Sequence, residues 1–148
     1  MPTPLDIDPT APIVSRHALR INAPLARIWR LHTDVANWPA WQPEIQRASI
    51  AGPFTPGTSF RWLTHGMDII STVYDVRDQR RTVWGGPASG ITGVHVWTFA
   101  ADGDAVLVRT AESWDLDPTR ADVPALRAAL DESLRCWLRH LGAAAEAG

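Results

Sequence analysis

Residues 93–114 read GVHVWTFAADGDAVLVRTAESW. Two runs alternate apolar with polar positions and meet at Asp102-Gly103-Asp104. Alternation with a period of two marks half-buried strands, and an Asp-Gly pair between two such runs is a hairpin signal. With Asp102-Gly103 as the two-residue turn, His95 faces Thr110, Trp97 faces Val108 and Gly93 faces Glu112. One face then holds the aromatic residues Trp97, Phe99 and Trp114 together with His95, Thr110 and Glu112. The other holds Val94, Val96, Leu107, Arg109 and Ser113, so Arg109 is expected in solvent. The aromatic face is the one expected to turn inward. On it His95 and Glu112 are diagonal neighbours, about 7–8 Å apart at Cα.

Upstream of this hairpin lie four more strand-like runs: EIQRASIAG (44–52), TSFRWLTH (58–65), MDIISTVYDVRD (67–78) and RRTVWGG (80–86). Turn signals separate them, among them GPFTPG, HG and DQR. GPASG (86–90) is expected as a loop. Near the N-terminus, IVSRHALRI (13–21) alternates, with Ile13, Ser15, His17, Leu19 and Ile21 on one face. A helical pattern follows, with Pro24 in its first turn and Leu25, Ile28, Trp29 and His32 at helical spacing. WPAW (38–41) then opens a second, short helix.

Downstream, Leu126, Leu130, Leu134, Trp137, Leu138 and Leu141 make one apolar helical stripe. Arg127, Asp131, Arg135 and Arg139 are expected on its far side, and Asp122 before Pro124 is the expected cap. A run of antiparallel strands cannot bury its inner face alone, and this helix is the natural cover. The expectation is an α+β fold: seven antiparallel strands, two short helices after the first strand, and a long C-terminal helix. Residues 1–12 are expected as a disordered tail and residues 13–145 as a single domain.

The composition narrows the function. Fourteen basic residues stand against sixteen acidic ones, without a basic stripe that would suit a nucleic-acid partner. All fourteen are Arg, which excludes a Schiff-base or P-loop lysine. Cys136 is the only cysteine, so no intrachain disulfide can form. The five His show no metal-ligand spacing, and neither a metal nor a cofactor is expected. No apolar run reaches membrane-spanning length and no secretory leader is visible. A cytoplasmic protein, monomeric or homodimeric, is expected. Eight Trp are spread along the chain. Either they build a large aromatic core or they line a pocket, since ligand pockets favour aromatic walls.

Residues 21–41, INAPLARIWRLHTDVANWPAW, resemble the opening of START-like proteins, the SRPBCC superfamily. The resemblance lies in Ala23-Pro24, Ile28-Trp29, Thr33-Asp34 and Trp38-Pro39-x-Trp41. The order of elements fits along the chain. RRTVWGG, VHVWTF and ESW resemble the polyketide cyclase/dehydrase-like branch. The resemblance implies a helix-grip fold, in which a curved sheet grips the last helix around an apolar cavity. Such proteins bind lipids, hormones or polyketides, and some catalyse cyclisation and dehydration. They share no universal catalytic motif, so none transfers to this chain.

The candidate site therefore comes from the hairpin. His95 and Glu112 are polar fixtures in an aromatic wall, and each gives the other a reason to tolerate burial. They are either a structural pin between strands or a proton-transfer pair, with the carboxylate fixing the imidazole tautomer. Trp62, Trp84, Trp97, Thr110, Trp114, Tyr74 and Trp137 are the candidate ligand-binding residues. His65 at a turn reads as a solvated His, and His32 beside Trp29 as a core His. Two functions fit these residues. One is a cyclase or dehydratase acting on a small hydrophobic, polyketide-like or aromatic molecule. The other is a non-catalytic carrier or sensor of a lipid or hydrophobic small molecule.

Overall fold

The computed structural model describes residues 3–148, and Met1 and Pro2 fall outside it. Strand β1 (Ile13–Ile21) leads into helix α1 (Leu25–Thr33), a single 3-10 turn (Val35–Asn37) and helix α2 (Trp38–Trp41). Strands β2 (Ile45–Ile50), β3 (Ser59–Thr64), β4 (Met67–Arg77), β5 (Arg81–Ala88), β6 (Ile91–Asp102) and β7 (Ala105–Asp115) follow as a meander. A second 3-10 turn (Pro118–Arg120) precedes helix α3 (Val123–Ala147). The sheet order is β1-β7-β6-β5-β4-β3-β2, with every pairing antiparallel. Register shifts in β2 (between Ile45 and Arg47) and β4 (between Val73 and Asp75) interrupt the ladder, and such bulges bend strands. The result is the curved seven-stranded helix-grip architecture expected from the sequence.

The α3 helix starts where Asp122 accepts a hydrogen bond from the Ala125 N–H at 3.1 Å, with Pro124 in the first turn. Its apolar stripe lies on the concave face of the sheet. Leu130 and Leu134 pack with Ile13, while Trp137, Leu138 and Leu141 join the main core. One expectation for this helix is corrected. Asp131 does not face away: it bonds the Ser15 hydroxyl and lies 3.0 Å from His17 Nε2. Inward-facing polar residues on β1 need a partner on the covering helix, and Asp131 supplies it.

The WPAW segment turns its rings into the core. Trp38 is fully buried against Phe60, Trp84 and Trp137, and its indole N–H donates to the His32 carbonyl at 3.0 Å. On the convex face of the sheet, Ile7 is buried with Val83, Val94 and Val96, and the Asp8 N–H donates to Ser113 Oγ at 3.0 Å. Residues 3–12 therefore run across the back of the sheet without regular secondary structure. Among the described residues no helix is long and apolar enough to cross a membrane.

Candidate functional site

The β6–β7 hairpin turns one residue later than the sequence suggests. Asp102 pairs with Ala105, and Gly103-Asp104 form the turn with Gly103 at φ +60°. A glycine with positive φ at the first central position is what a type II′ turn requires. Shifting both turn residues by one moves each strand's partner by two. Pairs change while faces do not. His95 is therefore opposite Glu112, not Thr110, and Trp97 is opposite Thr110.

One inward row now crosses five strands: Ser15, Glu112, His95, Trp84 and Val73. Cross-strand neighbours on such a row are in side-chain contact. His95 Nδ1 lies 3.1 Å from Glu112 Oε1, and His95 Nε2 lies 2.6 Å from Thr110 Oγ1. The Trp114 indole N–H donates to Glu112 Oε2 at 2.5 Å. The His95 ring packs against Trp84, with centroids 4.6 Å apart, and against Trp97 at 5.2 Å. With Glu112 ionised, one tautomer satisfies this network: Nδ1–H donates to Oε1 and Nε2 accepts from the Thr110 hydroxyl.

Burial sets the charges. Desolvation holds His95 well below the ordinary imidazole value, and His32, which also packs against Trp97, adds to this, so His95 is neutral. Burial raises Glu112 to about 7, opposed by the Trp114 hydrogen bond. At neutral pH the carboxyl is thus poised between its two forms. His32, read from the sequence as a core His, is buried and lowered to about 3 by desolvation. Its Nε2 lies 2.8 Å from Thr82 Oγ1, while its Nδ1 has no partner.

A pocket of about 530 Å³ lies between strands β3–β7 and the first half of α3. His65 and Met67 stand at its rim, and Trp62, Trp84, Trp137, His95 and Glu112 at its inner end. Glu112 is the more accessible member of the pair, with 18% of its side chain exposed against 4% for His95.

The other candidates divide. Trp62, Trp84, Trp114 and Trp137 line the pocket. Trp97 and Thr110 sit behind it, packed under His95. Tyr74 does not belong to the wall. It follows Val73 at the bulge in β4, which places it on the convex face with Ile7 and Val83. Arg109 is exposed on that same convex side, across β1 from Ala18. His65 is at a turn with φ +48°, 3.2 Å from Glu44.

Two glycines matter that the sequence reading placed in strands without a role. A Cβ at Gly85 would lie 2.1 Å from the Gly93 carbonyl oxygen, so β5 and β6 can approach only without one. At Gly93 a Cβ would find its nearest atoms, from Trp114 and Glu112, at 3.6–3.8 Å. A methyl group there would fit at ordinary contact distance beside the carboxylate. Glycine inside a strand is a sequence signal for such close approach. The loop expected at 86–90 is shorter than read: β5 runs to Ala88, and only Ser89 and Gly90 turn, both at positive φ. Among the described residues no group of three His, Cys, Asp or Glu side chains gathers as a metal site.

Residues 13–146 match the family described as polyketide cyclase / dehydrase and lipid transport. No curated protein matches the chain. The solved structures it is similar to share the fold at low identity. A START superfamily protein from Mycobacterium smegmatis is 16% identical with a TM-score of 0.78, over 90% of this chain and 97% of that one. The Zhui aromatase/cyclase from Streptomyces sp. R1128 is 16% identical with a TM-score of 0.76, over 90% and 93%. The di-domain aromatase/cyclase BexL of the BE-7585A biosynthetic pathway is 19% identical with a TM-score of 0.76, over 90% of this chain and 50% of that one. The chain belongs to the polyketide cyclase / dehydrase and lipid transport family.

Proposed function

We propose that this member of the polyketide cyclase / dehydrase and lipid transport family binds a small hydrophobic, polyketide-like or aromatic molecule and catalyses its cyclisation or dehydration. The observation that carries the reading is the His95–Glu112 pair, 3.1 Å apart at the inner end of a Trp-walled pocket. The similar aromatase/cyclase structures support the same class of reaction.

In this reading Glu112 is the group that meets the ligand. A carboxyl near 7 serves in both directions at working pH. Ionised, it takes the proton from a carbon between two carbonyls, the resulting enolate carbon attacks a further carbonyl to close a ring, and the proton held on Glu112 passes to the alkoxide so formed. For dehydration the ionised carboxyl takes a proton from the carbon between the new hydroxyl-bearing carbon and a carbonyl, then gives that proton to the hydroxyl as the C–O bond breaks, the C=C bond forms and water leaves. The indole walls hold the chain in the conformer that reacts. His95, held by Thr110, is a positioning residue: its Nδ1–H supports the ionised form of Glu112. Such a positioned acid/base contributes about 10²–10⁴-fold in rate.

One observation favours the second reading, a carrier without chemistry. Both nitrogens of His95 are bonded within the protein, as in a structural pin. Mass spectrometry of ligand that co-purifies would give the compound class. With that compound as substrate, Glu112→Gln is expected to lower turnover by 10²-fold or more, a loss larger than its loss of affinity. Equal losses in both would leave the carrier.

A further inference from the structure

The pocket's charge distribution is one-sided. Among the described residues, none of the 14 arginines lines it. The titratable groups that face it are Glu44, His65, His95, Glu112 and Glu132. Two of the three carboxylates sit at the outer end beside a partner. Glu44 is 3.2 Å from His65, and Glu132 is 3.9 Å from Arg135 on α3. Glu112, at the inner end, is different. Its polar partners are the indole of Trp114 and the buried neutral imidazole of His95. Around it stand the rings of Trp62, Trp84 and Trp137, with centroids 5.9–6.5 Å apart.

Each of these features acts in the same direction. An indole face carries negative potential and attracts cations. A carboxylate attracts them more strongly, and a charge-assisted hydrogen bond is about twice as strong as a neutral one. A ligand carboxylate brought here would lose its water, find no cation, and face Glu112. Beside Glu112 the pocket wall carries no side chain at Gly93, where a Cβ would stand 3.7 Å from Oε2. Each carboxylate oxygen of Glu112 has one donor already and keeps a free lone pair.

We infer that the pocket selects its ligand by the charge of the head group: it takes an aromatic ring bearing an ammonium, whose N–H groups donate to Glu112, and it rejects carboxylates. The inference rests on the proposed ligand-binding role of this pocket and is independent of whether any reaction follows.

Three naphthalene probes with one ring and different heads test it: 1-naphthylmethylamine, 1-naphthalenemethanol and 1-naphthoate. Isothermal titration calorimetry at pH 8, above the value of about 7 for Glu112, gives each Kd. The amine is expected to bind about tenfold or more tighter than the alcohol, and the carboxylate about tenfold or more weaker than it. In Glu112→Gln, confirmed as folded by its melting curve, the amine-to-alcohol ratio is expected to fall to near one. Should that variant not fold, Gly93→Ala, which crowds the same carboxylate, is expected to lower amine affinity more than alcohol affinity. An alcohol that equals the amine, a carboxylate that binds best, or an amine preference that survives in these variants would overturn the inference while leaving the pocket reading intact. Binding of none of the three would overturn the pocket reading itself, and the charge selection with it.

Discussion

His95 and Glu112 face each other directly across the β6–β7 pair, Nδ1 to Oε1, with Thr110 bonding the far side of the imidazole. The two groups are neutralised by burial in opposite senses. Desolvation keeps the proton off His95 and raises the Glu112 carboxyl to about 7, so that both its forms are populated at neutral pH. The pair therefore carries little net charge in its unionised form, which is how an aromatic wall can contain it.

The first expected outcome concerns pH. Glu112 is raised from 4.5 to about 7 in the folded chain. Between those values the folded state holds a proton that the unfolded state has lost. This contribution to stability is full below about 4.5 and is lost as pH rises through 7. His95 acts oppositely, losing stability as pH falls below 6.5, so wild type alone mixes the two effects. Comparison with Glu112→Gln separates them. The variant's Tm relative to wild type should rise steadily from pH 5 to pH 8. The span is of order 3 kcal/mol. A relative Tm that falls over that range would mean that His95 holds Glu112 ionised.

A second outcome tests the network behind the pair. Thr110→Val keeps the shape and removes the hydroxyl, leaving His95 Nε2 buried without a partner. The cost should be about 1–3 kcal/mol in denaturant unfolding. A neutral result would mean that the 2.6 Å contact does not hold the ring.

The C-terminal helix gives a third. Leu134 is fully buried with Ile13 and Leu130, and Trp137 packs among Trp38, Trp62, Trp84 and Trp97. Leu134→Ala or Trp137→Ala should each cost about 2–5 kcal/mol. A melting point within a degree or two of wild type for either would show that α3 does not close the core.

Much of this architecture could be read from the chain because its signals are local. Each strand is bounded by turn residues, and the α3 stripe repeats at helical spacing, so order and element type followed. The faces of β6 and β7 also survived a misplaced turn, because a two-residue shift in pairing preserves parity. What local pattern could not supply was contact over long sequence separations. Asp131 reads as a surface charge on a helix until β1 places Ser15 and His17 beside it. Tyr74 sits beside Val73, and only the bulge opposite Trp84 decides its face. Trp97 and Trp114 look alike in the alternation, yet one lies beneath His95 and the other bonds Glu112 at the pocket surface.

The last outcome uses the two glycines as a matched pair. They lie on neighbouring strands, Gly85 on β5 and Gly93 on β6, and a methyl group at each meets opposite circumstances. At Gly85 it would sit 2.1 Å from the Gly93 carbonyl oxygen, which is backbone and cannot rotate aside. The strands must part, and Gly85→Ala should cost several kcal/mol, in the range of about 1–3 or more seen for overpacking. At Gly93 the nearest atoms are 3.6 Å or more away, an ordinary contact. Gly93→Ala should keep its Tm within a few degrees of wild type. The new methyl occupies the space beside Glu112 Oε2 and the Trp114 indole, so ligand affinity should fall while the fold stands. Calorimetric titration of an aromatic probe into both variants, with melting curves alongside, reads the difference. If Gly93→Ala binds as wild type does, the head of the ligand does not lie against Glu112. If Gly85→Ala is as stable as wild type, β5 and β6 are not held as close as their backbones indicate.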